Sequence, residues 1–89
     1  MNIKRHKRFL KDFRDCKLSD SQFEKFVQYI NLLKEGKELP PQSRDHTLNG
    51  DYKDCREFHL GGDMLLIYLQ SDDSTITLMR IGTHAQLFK

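Results

Sequence analysis

Eighty-nine residues make one small domain, and a 37% hydrophobic content supports a single modest core. A 31% charged fraction and a mean hydropathy of -0.70 lead to the expectation of a cytoplasmic protein, with no apolar run fit to span a membrane and no secretory signal. The net charge of +2 conceals an asymmetry: residues 1–17 sum to +5 and residues 18–89 to -3. Such a basic cluster (Lys4, Arg5, Lys7, Arg8, Lys11, Arg14, Lys17) points to a polyanion, either nucleic acid or an acidic protein, more than to a solvated helix face.

Asn2 to Arg5 reads as a short edge strand or as the lead-in to a helix. From His6 to about Asp15, Phe9, Leu10 and Phe13 recur at helical spacing among lysines and arginines, which predicts an amphipathic helix. Ser19 with Gln22 forms a capping box for a second helix, and Leu18 against Phe23 a hydrophobic staple. Phe23, Phe26, Val27, Ile30 and Leu33 supply its apolar stripe. Gly36 and Pro40-Pro41 end it. The two helices form a hairpin.

Residues 37 to 51 are turn-like. Strands follow over Tyr52 to Leu60, Met64 to about Gln70, and Thr75 to Ile81, separated by Gly61-Gly62 and by Ser71-Asp72-Asp73-Ser74. The expected architecture is α+β: a helical hairpin packed on a small antiparallel meander, in one domain spanning residues 1–89. Cys16 and Cys55 lack CxxC or zinc spacing. They read as free thiols in a reducing compartment rather than as a disulfide.

Three of the four histidines fall in the last half of the chain, with Asp63 and Arg80 among strand ends. Imidazole both takes and gives protons near neutrality, and a guanidinium stabilises charge on phosphate. His46, His59, Asp63, Arg80 and His84 are therefore candidates for acid–base chemistry on a phosphodiester. A two-residue Gly61-Gly62 turn would pair Leu60 with Asp63 and His59 with Met64, returning Asp63 towards His59. Singly, each residue has a plain structural role: a loop hydrogen bond through Asp45 for His46, a turn for Asp63, an edge ion pair for Arg80. His6 is assigned to the surface outright. Three histidines and an aspartate suit zinc in type, but no short His-x-His or His-x3-His pair supports a metal, and none is expected. No serine sits in a nucleophile turn.

Three blocks carry a family likeness. Asp45-His46-Thr47-Leu48-Asn49-Gly50, Arg56-Glu57-Phe58-His59 with Asp63 and Leu65-Leu66-Ile67-Tyr68, and Arg80-Ile81-Gly82-Thr83-His84-Ala85-Gln86-Leu87-Phe88 keep the order and spacing of the RelE superfamily of bacterial toxins, most closely its YafQ branch. Phe9-Leu10-Lys11-Asp12-Phe13 resembles its first helix. The resemblance implies a ribonuclease of a type II toxin–antitoxin pair that cuts messenger RNA on the ribosome without a cofactor. Its partners would be mRNA, the ribosome and a cognate antitoxin, the last in an assembly such as a heterotetramer. It puts His46, His59, Asp63, Arg80, His84 and Phe88 at active-site positions. Met64 departs from the aromatic residue often found there, which touches RNA preference or packing. In the implied mechanism His46, aided by Asp63, takes the 2′-OH proton and His84 protonates the leaving oxygen. Arg80 steadies the phosphate, His59 orients or shares proton transfer, and Phe88 stacks on a base. Lys4, Arg5, Lys7, Arg8, Lys11 and Arg14 would contact RNA or ribosome through charge. The competing expectation is a ParE-like toxin that binds a DNA topoisomerase and cleaves nothing. Such a protein would not need these histidines.

Overall fold

The computed structural model describes residues 1–72 and 74–88, so Asp73 of the expected turn lies outside the described residues. The chain runs β1 (Asn2–Arg5), α1 (Lys7–Asp15), α2 (Asp20–Lys34), β2 (His46–Thr47), β3 (Arg56–Gly61), β4 (Met64–Gln70), β5 (Thr75–Thr83) and a one-turn α3 (His84–Leu87). The five strands lie in the order β1-β5-β4-β3-β2. The expected meander is its centre. Two additions extend it: β1 pairs parallel to β5, and β2 pairs antiparallel to β3.

The helix starts follow local chemistry. His6 caps α1, its Nδ1 accepting from the Arg8 N–H at 3.0 Å. Ser19 and Gln22 exchange both capping-box bonds, at 3.1 and 2.9 Å. The expected apolar stripe of α2 holds in part: Leu33 is in the core and Phe26 and Ile30 pack against it, but Phe23 and Val27 turn outward and Tyr29 joins the core. Tyr29 and Leu33 are buried, whereas Phe23 and Val27 are 49% and 51% exposed. Leu10 and Phe13 of α1 are also exposed. The helix hairpin meets the sheet through a narrower face than its apolar content allows.

Alternation along the strands divides the sheet into two faces. Phe58 and Leu60 of β3, Leu66 and Tyr68 of β4, and Ile76, Leu78 and Ile81 of β5 pack under Phe9, Tyr29 and Leu33. Met64 belongs to this core. The opposite face carries Leu65 and Ile67, covered by Cys55 and Leu87 with Leu48, Tyr52, Met79 and Phe88 at the margin. Both cysteines are free, and burial raises both thiols above their ordinary range.

The hairpin register differs from the expected one. Gly61 pairs with Met64 and His59 with Leu65, with a register shift between His59 and Gly61. Gly62 and Asp63 thus form the turn, and Gly61, at φ +110°, takes the conformation that the shift demands.

Candidate active site

The first half of the site, on β2 and β3, lies on the sheet face opposite the core of Phe9, Tyr29 and Leu33. Glu57 and His59 are two residues apart on β3 and therefore share that face. His46 sits opposite Glu57 in the β2–β3 ladder. One Glu57 oxygen, Oε2, lies 3.1 Å from His46 Nε2 and 3.6 Å from His59 Nε2. The His46 and His59 ring centroids are 6.1 Å apart.

His46 is placed by a chain of local bonds. Asp45 accepts from Arg56 Nε at 3.1 Å and from Tyr68 Oη at 2.8 Å, which ties the segment before β2 to β3 and β4. Burial and that bond to Asp45 hold the Tyr68 phenol well above its ordinary range. Arg44 adopts left-handed backbone at φ 50°, a conformation that costs about 1–2 kcal/mol outside glycine. Its carbonyl stands 2.6 Å from His46 Nδ1. A carbonyl only accepts, so Nδ1 carries the hydrogen and Nε2 faces Glu57. That contact needs a proton between nitrogen and oxygen.

Glu57 is 5% exposed, and its Oε1 has no hydrogen-bond partner among the described residues. A buried, half-satisfied carboxylate beside two imidazoles is a costly arrangement of the sort kept at functional sites. Burial pushes the His59 imidazole below its ordinary value. Glu57 opposes this, while positive charge on Arg44, His46 and His84 adds to it. Folding therefore favours the neutral form of His59 relative to a free imidazole.

The second half of the site comes from β5 and α3. The β4–β5 ladder pairs Ile67 with Arg80 and Tyr68 with Leu78, which leaves Met79 as a bulge. Leu78 and Ile81 can then both stay in the helix-side core while Arg80 lines a cleft on the site face. The cleft, about 700 Å³, is also lined by Arg8, Asn49, Tyr52 and Phe88. Arg80 donates to Asp12 of α1 through Nε at 2.6 Å and Nη2 at 3.2 Å, and to Tyr52 Oη at 3.3 Å.

Thr83 and Gln86 form a capping box that starts α3 at His84. Gly82 permits this closure, since a Cβ there would meet Gln86 Oε1 at 2.8 Å. The His84 and Phe88 rings lie 4.8 Å apart, and Phe88 meets Tyr52 edge-on at 5.8 Å.

Of the expected residues, His46 and His59 meet directly, and Arg80 and Phe88 border one cleft with His84 against Phe88. Asp63 sits exposed at the hairpin tip, outside the His46–Glu57–His59 cluster. Lys4, Arg5, Lys7, Lys11 and Arg14 are exposed on β1 and α1, and of the expected basic set Arg8 lines the cleft. Arg14 pairs with Asp15 at 3.1 Å on the surface. Three site residues escaped the sequence. The signal for Glu57 was present, because i and i+2 on a strand share a face. Asp12 and Tyr52 gave none, lying 68 and 28 residues from Arg80. His46, Glu57 and His59 also offer ligand atoms within 4.8 Å of one another, a donor set that separated sequence positions had hidden.

Comparison with known proteins gives this geometry its context. The mRNA interferase toxin YafQ of Escherichia coli K12 is 42% identical over 50 residues, which cover 56% of this chain and 53% of that one. A copper-bound mutant toxin from Helicobacter pylori is 36% identical, with 97% of each chain covered and a TM-score of 0.82. The toxin of the E. coli DinJ–YafQ complex is 30% identical, with 99% of this chain and 98% of that one covered and a TM-score of 0.83. A family model for the bacterial toxin YafQ of type II toxin–antitoxin systems matches residues 1–89. The α+β fold and the full-length match agree, and the chain belongs to the YafQ family of type II toxins.

Proposed function

We propose that this toxin is an endoribonuclease that cleaves messenger RNA through the neighbouring 2′-OH, with no metal in the reaction. The observations that support this reading are the grouping of His46, Glu57 and His59 around one buried carboxylate, and a cleft lined by Arg80 and Phe88 with the His84 ring against Phe88. The E. coli relative named an mRNA interferase supports the same substrate class.

In this reading His59 is the base, because burial and surrounding positive charge favour its neutral form, which accepts a proton. We assign the base role to His59 rather than to His46 because the Glu57 oxygen is closer to His46 Nε2, at 3.1 Å, than to His59 Nε2, at 3.6 Å. The 2′-oxygen attacks the phosphorus, Arg80 stabilises the charged phosphorane, and His84 gives its proton to the departing 5′-oxygen. The products are a 2′,3′-cyclic phosphate and a 5′-hydroxyl. Phe88 and Tyr52 supply aromatic surface for a base, and Arg8 and its basic neighbours attract the backbone. Mapping 5′ ends after brief induction tests the reading: 5′-hydroxyl ends, absent when the nucleotide 5′ of the cut is 2′-deoxy, are expected. Growth arrest with intact transcripts would refute it and favour the topoisomerase-binding alternative.

The two imidazoles and the carboxylate fit copper or zinc, and the unpartnered Glu57 Oε1 is a free donor atom. A cation held by His46, Glu57 and His59 would occupy nitrogen lone pairs that proton transfer requires. Chelator should therefore leave cleavage unchanged and copper(II) should slow it. Loss of cleavage in chelator would end the metal-independent reading. The DinJ–YafQ complex supports an antitoxin of DinJ type as the protein partner.

A further inference from the structure

We propose that Asp12 is a positioning residue for this ribonuclease chemistry, acting through Arg80; the inference rests on the function proposed above. Asp12 stands on the basic helix, where its charge opposes that of every neighbouring lysine and arginine. Yet it is largely shielded: the Asp12 and Arg80 side chains are 17% and 14% exposed. Its Oδ2 accepts from Arg80 Nε at 2.6 Å and from the Ile81 N–H at 3.2 Å, and its Oδ1 accepts from Arg80 Nη2 at 3.2 Å.

A guanidinium has five N–H donors in a rigid plane. Asp12 takes the edge formed by Nε and Nη2. Tyr52 Oη accepts one hydrogen from Nη1 at 3.3 Å. Two hydrogens remain, one on Nη1 and one on Nη2, to meet phosphate oxygens. The Met79 bulge brings Arg80 to the cleft, and Asp12 sets the rotation of its plane there. The Ile81 bond keys the same carboxylate to the backbone of β5, so helix, strand and guanidinium are held in one register.

Asp12→Asn tests this with little disturbance. The amide oxygen at the Oδ2 position keeps the bonds from the Ile81 N–H and Arg80 Nε, but the NH₂ at the Oδ1 position cannot accept from Nη2, so one of the two contacts that fix the guanidinium plane is lost. Misplacing a charged group in this way should lower kcat for cleavage in a translating extract by about 10- to 100-fold, with KM unchanged or lower. Charge alone predicts the reverse, since the variant is more positive and should only bind RNA better. In an Arg80→Lys background, Asp12→Asn should change kcat by less than about 2-fold, because the group that it positions is gone. Wild-type kcat in the single variant, or the same loss in both backgrounds, would overturn the proposal.

A second measurement does not depend on cleavage. Inorganic phosphate titrated against the Arg80 Nε–H resonance should reach its midpoint at several-fold higher concentration in Asp12→Asn than in wild type. Equal or lower midpoints would overturn the proposal even if no cleavage were found. A raised midpoint in a protein that cuts no RNA would support the clamp and count against the ribonuclease function alone.

Discussion

The two faces of the central sheet are built from the same strands and do opposite work. On β3, Phe58 and Leu60 point to the helix side and have no exposed surface, while Glu57 and His59 point the other way into a polar cluster. One face is closed by Phe9, Tyr29 and Leu33. The other is only partly roofed by Leu87, Tyr52 and Phe88, which leaves the cleft open beside Arg80. A strand alternates its side chains every residue, so a small domain can assign stability to one face and chemistry to the other without added length. The unsatisfied Glu57 oxygen belongs to the second face, and the carbonyl of the left-handed Arg44 holds the His46 ring beside it.

Substitutions on the two faces should separate accordingly. Phe58→Ala should cost about 3–5 kcal/mol by urea denaturation, because it empties a site with no exposure. A cost under about 1 kcal/mol would show that the helix-side core is not what holds the fold. His84→Ala should lower cleavage by about 10²–10⁴-fold with the urea midpoint little changed, since the ring is exposed and packs on the partly buried Phe88. Undiminished cleavage would remove the acid role and with it the contrast between the faces. Ser19→Ala, far from the cleft, should cost about 1 kcal/mol by loss of the cap while cleavage by the folded protein stays at the wild-type level.

The smallest effect concerns pH. Folding holds His59 below its ordinary value, so the unfolded chain takes up this proton at a higher pH than the folded one. The stability gained from a neutral His59 is in place above the ordinary imidazole range and is lost as pH falls through it. The urea midpoint should drop between about pH 8 and about pH 5, and His59→Gln should flatten that decline. An identical slope in the variant would mean that the site face does not couple to folding through His59.

Several of these features were legible in the chain before folding. The Ser19–Gln22 capping box, the three central strands and the histidine blocks are written in residues close in sequence, where the deciding forces are local hydrogen bonds and the two- or 3.6-residue repeats. The buried stripe of α2 was partly misjudged because Phe23 and Tyr29 are both apolar enough to be inside, and only the docking angle on the sheet chooses between them. Asp63 was expected beside His59. A one-residue change of hairpin register, accommodated by glycine at 61, put it at the tip instead.

By itself, then, the sequence determined the helices, the three central strands, the family and the histidines proposed to carry protons, since these depend on residue type and near neighbours. Tertiary structure alone decided that β1 would lie parallel to β5, that Glu57 would stand between two histidines, and that Asp12 and Tyr52 would take hold of Arg80. Those pairings join residues as much as 73 apart, and no local preference encodes a contact that exists only after the chain has closed on itself.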